Sequence, residues 1–374
     1  MAKSTELEIA PYLQLMVEKE GEDIYLHSGA KILIKGPFGF AWIGEKLVQG
    51  QVDGIFRSVA SDRKIKEFEE NGEVDFSLGV PNLGRFRGSA FRQRGETSLV
   101  FRYVRNDIPT SKDLGLPPVL NNLVMEKNGL VVVVGATGSG KSTSLAAMID
   151  HRNTNAPGHI LTLEDPIEYL HHHKRSVVAQ REIGVDTENF NTGIRSAMRS
   201  APNVILLGEI RDHDTMESAL KFANTGHLCL TTLHANNAVS AIERMITFFP
   251  PEDQGNEVTR VAQNLRGIVS QRLVPTKSGG KCAAMEIMVN TPRIQDLIIK
   301  QDLAELRTAI EQGGKYQMRT FDQALIELYD KGRITRDTAV EYADSKNNVS
   351  LHIRLNEGDN FEKVDLKLDE IEQS

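Results

Sequence analysis

Residues 135–142 read Gly-Ala-Thr-Gly-Ser-Gly-Lys-Ser, directly after the apolar run Leu130-Val131-Val132-Val133-Val134. Strand, glycine-rich turn and helix start stand in the order that a phosphate cradle needs. Gly135, Gly138 and Gly140 let the backbone bend tightly and aim N–H groups at an anion, with Ala136, Thr137 and Ser139 between them. Lys141 can reach the β- and γ-phosphates of a nucleotide, and Ser142 can offer its hydroxyl to Mg²⁺. The helix that begins near Lys141, with Thr143 in its first turn, adds its positive end. The implied ligands are ATP and Mg²⁺.

Phosphoryl transfer also needs a positioned water and late positive charge. In open α/β sheets the ligand sits at the carboxyl ends of strands, so acids are sought there. Val204-Ile205-Leu206-Leu207 is followed by Gly208-Glu209. The usual metal-organising aspartate is replaced by Gly208, which leaves Glu209 as the acid. Ile160–Leu163 ends in Glu164-Asp165-Pro166-Ile167-Glu168. Pro166 keeps its preceding residue out of the α region, which restricts where Asp165 points. Glu164 or Glu209 orients the attacking water; the sequence does not divide the work between them. Glu164, Asp165 and Glu168 are the acids expected near the metal with Ser142.

His227 and His234 flank Leu228–Leu233. A spacing of seven on a strand puts them on opposite faces, against a shared metal. One of them is a candidate reader of the γ-phosphate. The tract His171-His172-His173-Lys174-Arg175 reads as a solvated loop, since no carboxylate or cysteine spacing supports a metal there. Arg195, Arg211 and Arg244 are candidate arginine fingers, along with Arg199, Arg260, Arg266 and Arg272. Arg85, Arg87 and Arg102 form a denser N-terminal set. Arg85 and Arg87 share a strand face that can clamp a phosphate or an acidic neighbour.

The elements that carry these residues divide into two regions. Residues 1–107 read as an α+β domain, with strands at Ile24–Leu26, Lys31–Ile34, Arg85–Arg87, Ser89–Phe91 and Leu99–Val104, and one helix from Val52 to Asn71. Residues 108–118 are rich in proline and read as a hinge linker. From residue 119 to 350, short apolar strands alternate with helices at 190–200, 213–224 and 237–248. That pattern predicts a mostly parallel sheet covered on both faces. The part after about 255 reads as mainly helical. Thr291 caps a helix that opens at Pro292, Thr320 starts a capping box with Gln323, and Gly332 and Thr335 end and begin helices. Residues 351–374 read as an acidic tail without a packed core.

Composition narrows the function class. The chain has 374 residues, 25% charged and 40% hydrophobic, with net charge −7. Such a balance argues against a main partner of nucleic acid, because phosphate neutralisation needs a basic surface. Two cysteines without paired spacing build neither a disulfide framework nor a structural zinc site. Reduced cysteines point to a cytoplasmic location. Met1–Ala10 lacks a signal-peptide core, and no apolar run approaches the ~20 residues of a membrane span.

Together these segments resemble the secretion-superfamily hexameric ATPases that drive type IV pili. The resemblance runs from about residue 75 to 345. Leu163–Glu168 matches that family's Asp box, Leu207–Asp212 its Walker B segment, and Gly226-His227 through His234-Ala235-Asn236 its His box. With no four-cysteine zinc cluster, the chain resembles the type IV pilus retraction ATPase (PilT/PilU) branch. Arg293-Ile294-Gln295-Asp296-Leu297 and the acidic extension point to its PilU side. The resemblance implies a PAS-like N-terminal domain on a RecA-like P-loop ATPase domain. It also implies a homo-hexamer in pilus retraction and twitching motility, cytoplasmic at the inner-membrane base of the pilus machine. Expected partners are a PilT-like ATPase and a PilC-like platform protein, with membrane contact only through them. The alternative is an accessory subunit that boosts a PilT-like motor with little activity of its own. A nucleic-acid translocase on the same core is disfavoured by the acidic pI of about 5.9.

Overall fold

The computed structural model describes residues 9–36, 39–104 and 107–357. Its strands are β1 (Asp23–His27), β2 (Ile32–Gly36), β3 (Gly39–Ile43), β4 (Glu73–Val80), β5 (Gly84–Gln93), β6 (Glu96–Val104) and β7 (Gly129–Val134). They continue with β8 (Gly158–Glu164), β9 (Ser176–Glu182), β10 (Val204–Leu207), β11 (Leu228–Leu233), β12 (Leu265–Pro275) and β13 (Lys281–Val289). The helices are α1 (Ala10–Glu18), α2 (Gln51–Val59), α3 (Asp62–Asn71), α4 (Val119–Val124), α5 (Lys141–Asn155), α6 (Phe190–Ala197) and α7 (His213–Asn224). The rest are α8 (Ala238–Thr247), α9 (Gln254–Asn264), α10 (Pro292–Ile299), α11 (Leu303–Glu311), α12 (Phe321–Asp330), α13 (Arg336–Glu341) and α14 (Lys346–Glu357). Among the described residues no helix is long and apolar enough to cross a membrane. The chain divides into two compact units, Met1–Ile108 with Leu161–Ser200, and Pro109–Ile160 with Ala201–Ser374.

The first unit is built on an antiparallel sheet in the order β3-β2-β1-β6-β5-β4. Alternation along β4 turns Val74, Phe76 and Leu78 inward. They meet Ile24, Leu26, Phe86 and Phe101 from the other strands, and Leu13, Met16, Phe56 and Phe68 from the helices. The expected single helix from Val52 to Asn71 is two, because Ala60 and Ser61 are extended. The break turns α3 back so that the rings of Phe56 and Phe68 pack 4.8 Å apart. A straight helix of about 20 residues would span ~30 Å and carry Phe68 away from that core. A Cβ on Gly88 would lie 2.4 Å from the Phe76 ring, so this strand position must be glycine for the ring to lie flat across it. β9 and α6 belong to this unit as well.

The second unit holds strands in the order β13-β12-β7-β11-β10. β7, β11 and β10 run parallel, β12 runs parallel to β7, and β13 returns antiparallel. Every residue of β7 and β11 is buried, as expected of strands covered on both faces. The long β12–β13 hairpin corrects the expectation of mainly helical structure after residue 255. Ala283, Ala284 and Met285 favour helix by themselves, but pairing of β12 with β7 overrides that preference. Ser278-Gly279-Gly280, with both glycines at positive φ, makes the turn. Helices α12–α14 pack on the hairpin around Phe321, Leu325, Val349 and Ile353. α14 thereby carries residues 351–357 as helix where a tail was expected, and residues 358–374 lie outside the described residues. The caps at Thr291, Thr320 and Thr335 accept hydrogen bonds as expected.

Candidate functional site

The parallel registers align strand ends in the second unit. Leu233 of β11 pairs with Val134 of β7, Ser270 of β12 pairs with Val134, and Leu207 of β10 pairs with Thr231 of β11. The phosphate loop, Gly208-Glu209, His234 and Gln271 therefore leave one sheet edge together.

In the loop, Gly135, Gly138 and Gly140 have φ of +150°, +76° and +85°. A Cβ on Gly135 would lie 2.4 Å from the Gln271 carbonyl oxygen and 2.6 Å from Ser139 Oγ. Only glycine fits there. Gln271, 2% exposed, clamps the loop from beneath: its Nε2 donates to Ser139 O at 2.7 Å, and Ser144 Oγ donates to its Oε1 at 2.8 Å. Nothing in the sequence marked Gln271, because a buried polar clamp has no local signature. Lys141 Nζ donates to Gly135 O at 2.8 Å and Ala136 O at 3.0 Å. Ser139 Oγ is buried with no hydrogen-bond partner among the described residues. A buried hydroxyl left so, inside a cradle that a Cβ would fill, suits a ligand oxygen.

Glu209 is held from both sides. Arg211 Nε donates to Oε2 at 2.8 Å, and His234 Nε2 lies 3.0 Å from Oε1. Thr232 Oγ1 donates to the Gly208 carbonyl at 2.7 Å and fixes the preceding peptide. The two histidines part company. His227 precedes β11, its carbonyl accepting from Gly129 N, and so lies at the opposite sheet edge. The six residues of β11 put ~20 Å between them at ~3.3 Å per residue. His227 Nδ1 lies 3.1 Å from Thr225 Oγ1, and its ring packs edge-on to Phe222.

His234, Ala235, Asn236, Ser240, Glu243, Arg244 and Thr247 line a cavity of about 490 Å³ with Gly135 and Ala136. Arg244 is thus the arginine candidate that stands beside the loop. A second cavity, about 220 Å³, adjoins Gly140 and Thr143 and is lined by Leu114, Leu116, Leu273, Ala283 and Arg333.

The other acids lie in the first unit. Glu164 accepts from Thr162 Oγ1 at 2.5 Å and Gln180 Nε2 at 3.1 Å. Burial nonetheless pushes its carboxyl above the usual range. Asp165 and Glu168 are exposed. The N-terminal arginines meet acids: Arg85 pairs with Glu182 at 3.2 Å, Arg87 with Asp75 at 3.0 Å, and Arg102 with Asp23 at 2.7 Å. Glu182 also accepts from Ser77 Oγ at 2.7 Å and from Ile167 N at 3.3 Å, so it joins the acidic loop to β4 and β5. Arg195 is exposed, with no ion pair among the described residues. His173 Nδ1 accepts from Val178 N at 3.1 Å, which gives that histidine a structural role. Among the described residues no group of three or more His, Cys, Asp or Glu side chains could hold a metal by itself. Cys229 and Cys282 are free and buried.

The family described as "Type II/IV secretion system protein" matches residues 70–332. The chain is 44% identical to the type IV pilus ATPase PilU of Pseudomonas aeruginosa over 93% of its length and 92% of that protein's. It is 39% identical to the retraction ATPase PilT of the same organism, over 90% of this chain and 98% of that one. The crystal structure of the pilus retraction motor PilT with bound ADP superposes with a TM-score of 0.85 at 38% identity, covering 91% and 98% of the two chains.

Proposed function

The chain belongs to the type II/IV secretion system protein family, and on that footing we propose that it is an ATP-hydrolysing motor of type IV pilus retraction. The observation that carries the reading is the aligned edge of the second unit. A complete phosphate loop stands beside Glu209, which His234 and Arg211 hold in place.

ATP entering the loop offers phosphate oxygens to Lys141. Anionic phosphate oxygens are stronger acceptors for its ammonium than the two neutral carbonyls that Nζ now meets. Ser139 Oγ gains an acceptor, and the first turn of α5 faces the phosphates. The base has room in the cavity beside Gly140, where the Arg333 guanidinium can stack on it. Arg211 and His234 fix the Glu209 carboxylate, whose remaining lone pairs can accept from the attacking water. Ser142 would hold Mg²⁺ through its hydroxyl oxygen, a ligand type that hard ion accepts beside phosphate and water. When bound, the ion would neutralise negative charge on the phosphates. Arg244 is the finger candidate placed to act at this site, on its own or a neighbouring nucleotide.

The hexamer, the PilT-like and PilC-like partners and the cytoplasmic location are part of this proposal and rest on likeness to PilU and PilT. Residues 108–118 serve as its hinge, with Leu114 and Leu116 in the wall of the base cavity. The intact loop and the held Glu209 favour a working motor over a mainly accessory subunit. The test is twitching in cells that lack this chain. The wild-type chain restores it, and Glu209→Gln and Lys141→Ala do not. Restoration by either variant would overturn the motor reading.

A further inference from the structure

Glu286 is a buried acid that the site described so far does not use. It lies on β13, 5% exposed, and burial pushes its carboxyl above the usual range. A buried carboxylate is costly unless its bonds are well made. Its Oε1 accepts from Ala238 N at 2.7 Å and from Ser270 Oγ at 3.2 Å. Ala238 is the first residue of α8, whose leading N–H groups have no partner within the helix. An acid there is favoured by the helix dipole.

The same helix start holds the His234 loop. Asn237 caps α8 by accepting from Ser240 N at 2.8 Å. Ser240 Oγ in turn accepts from Asn236 N at 3.2 Å and Asn237 N at 3.1 Å. Only Ala235 and Asn236 separate His234 from this network. His234 then lies 3.0 Å from Glu209. We propose that Glu286 is a positioning residue for hydrolysis: by tethering the first turn of α8 to β13, it sets His234 against Glu209. The inference rests on the ATPase reading above. Gln271, on the strand beside it, holds the phosphate loop instead, so losing Glu286 should slow the chemistry and spare nucleotide binding.

The experiment uses the full chain with Glu286→Ala and Glu286→Gln, each alone and with His234→Ala. ATP turnover, affinity for a fluorescent ADP analogue and amide hydrogen exchange are measured. In Glu286→Ala, kcat should fall about tenfold, the loss of roughly one well-made hydrogen bond. ADP affinity should stay within about twofold, and exchange over residues 234–240 should rise about tenfold. Glu286→Gln keeps an acceptor oxygen for Ala238 N and should retain kcat within about threefold. With His234→Ala already present, Glu286→Ala should cost less than about twofold more, since the two act in series. Additive losses, a fall in ADP affinity equal to that in kcat, or a Gln variant as impaired as the Ala variant would overturn the proposal. A wild-type chain without turnover would instead sink the ATPase reading. Exchange then decides the tether by itself, and unchanged exchange in Glu286→Ala would end it.

Discussion

Replacing Gln271 by alanine removes the clamp under the phosphate loop. Two side-chain bonds disappear, at 2.7 and 2.8 Å, and both partners are stranded. Ser144 is 1% exposed and Ser139 6%, so water does not readily replace what is lost. Each bond contributes about 1 kcal/mol net, and each buried orphan costs about 1–3 kcal/mol. The two orphans dominate, so the expected loss of stability in the second unit is about 2–6 kcal/mol. The loop also loses the contact that orders the Ser139–Gly140 peptide. If about 1.4 kcal/mol of that ordering is then drawn from binding, ADP affinity falls about tenfold. Gln271→Glu separates the two bonds. It keeps an acceptor for Ser144 but sets a carboxylate oxygen against the Ser139 carbonyl and near the phosphates. Its affinity should fall further than that of the alanine variant, and so should its stability, because a buried carboxylate facing a carbonyl is costly. Calorimetric ADP titration and urea unfolding followed with and without ADP give both quantities. An alanine variant within about 0.5 kcal/mol and twofold of wild type would refute the clamp.

Other consequences follow from the same contacts. Gly135→Ala places a Cβ 2.4 Å from the Gln271 carbonyl, and should abolish detectable ADP binding by calorimetry while the first unit still unfolds as in wild type. Arg85→Ala leaves the buried Glu182 without its ion partner and should destabilise the first unit by about 2–4 kcal/mol in urea unfolding. Glu164 has a carboxyl raised by burial, so the folded chain binds a proton more tightly there than the unfolded chain does. Stability from this group is highest below the ordinary carboxylate range and falls as pH rises through the raised value. Glu164→Gln should therefore raise the melting temperature at neutral pH and flatten that fall; an unchanged melting profile would count against the assignment.

How much was legible depended on how local each signal was. The phosphate loop and the caps at Thr291 and Thr320 are written in a few consecutive residues; the loop lies between β7 and α5, and both threonines accept from the third residue of their helix. That β7, β10 and β11 are strands of a mostly parallel sheet was legible because fully buried parallel strands read as unbroken apolar runs. The β12–β13 hairpin was not, since its pairing with β7 is non-local and its alanines and methionines favour helix. Its Gly279-Gly280 turn was the one available sign. The break at Ala60-Ser61 follows from ring packing that only the folded core reveals. His227 and His234 were equal in the sequence, and strand direction alone separates them. Gln271, Glu182 and Glu286 went unmarked because a buried polar residue looks like a surface one until its partners are known.

The measurement that tests the account most directly is ATP turnover by the purified chain beside Lys141→Ala, with Mg²⁺ present and oligomer size recorded in the same samples by light scattering. The account predicts turnover in a hexamer, lost in Lys141→Ala while the hexamer persists. Turnover that survives Lys141→Ala, or a wild-type hexamer that binds ATP and does not hydrolyse it, would contradict the account.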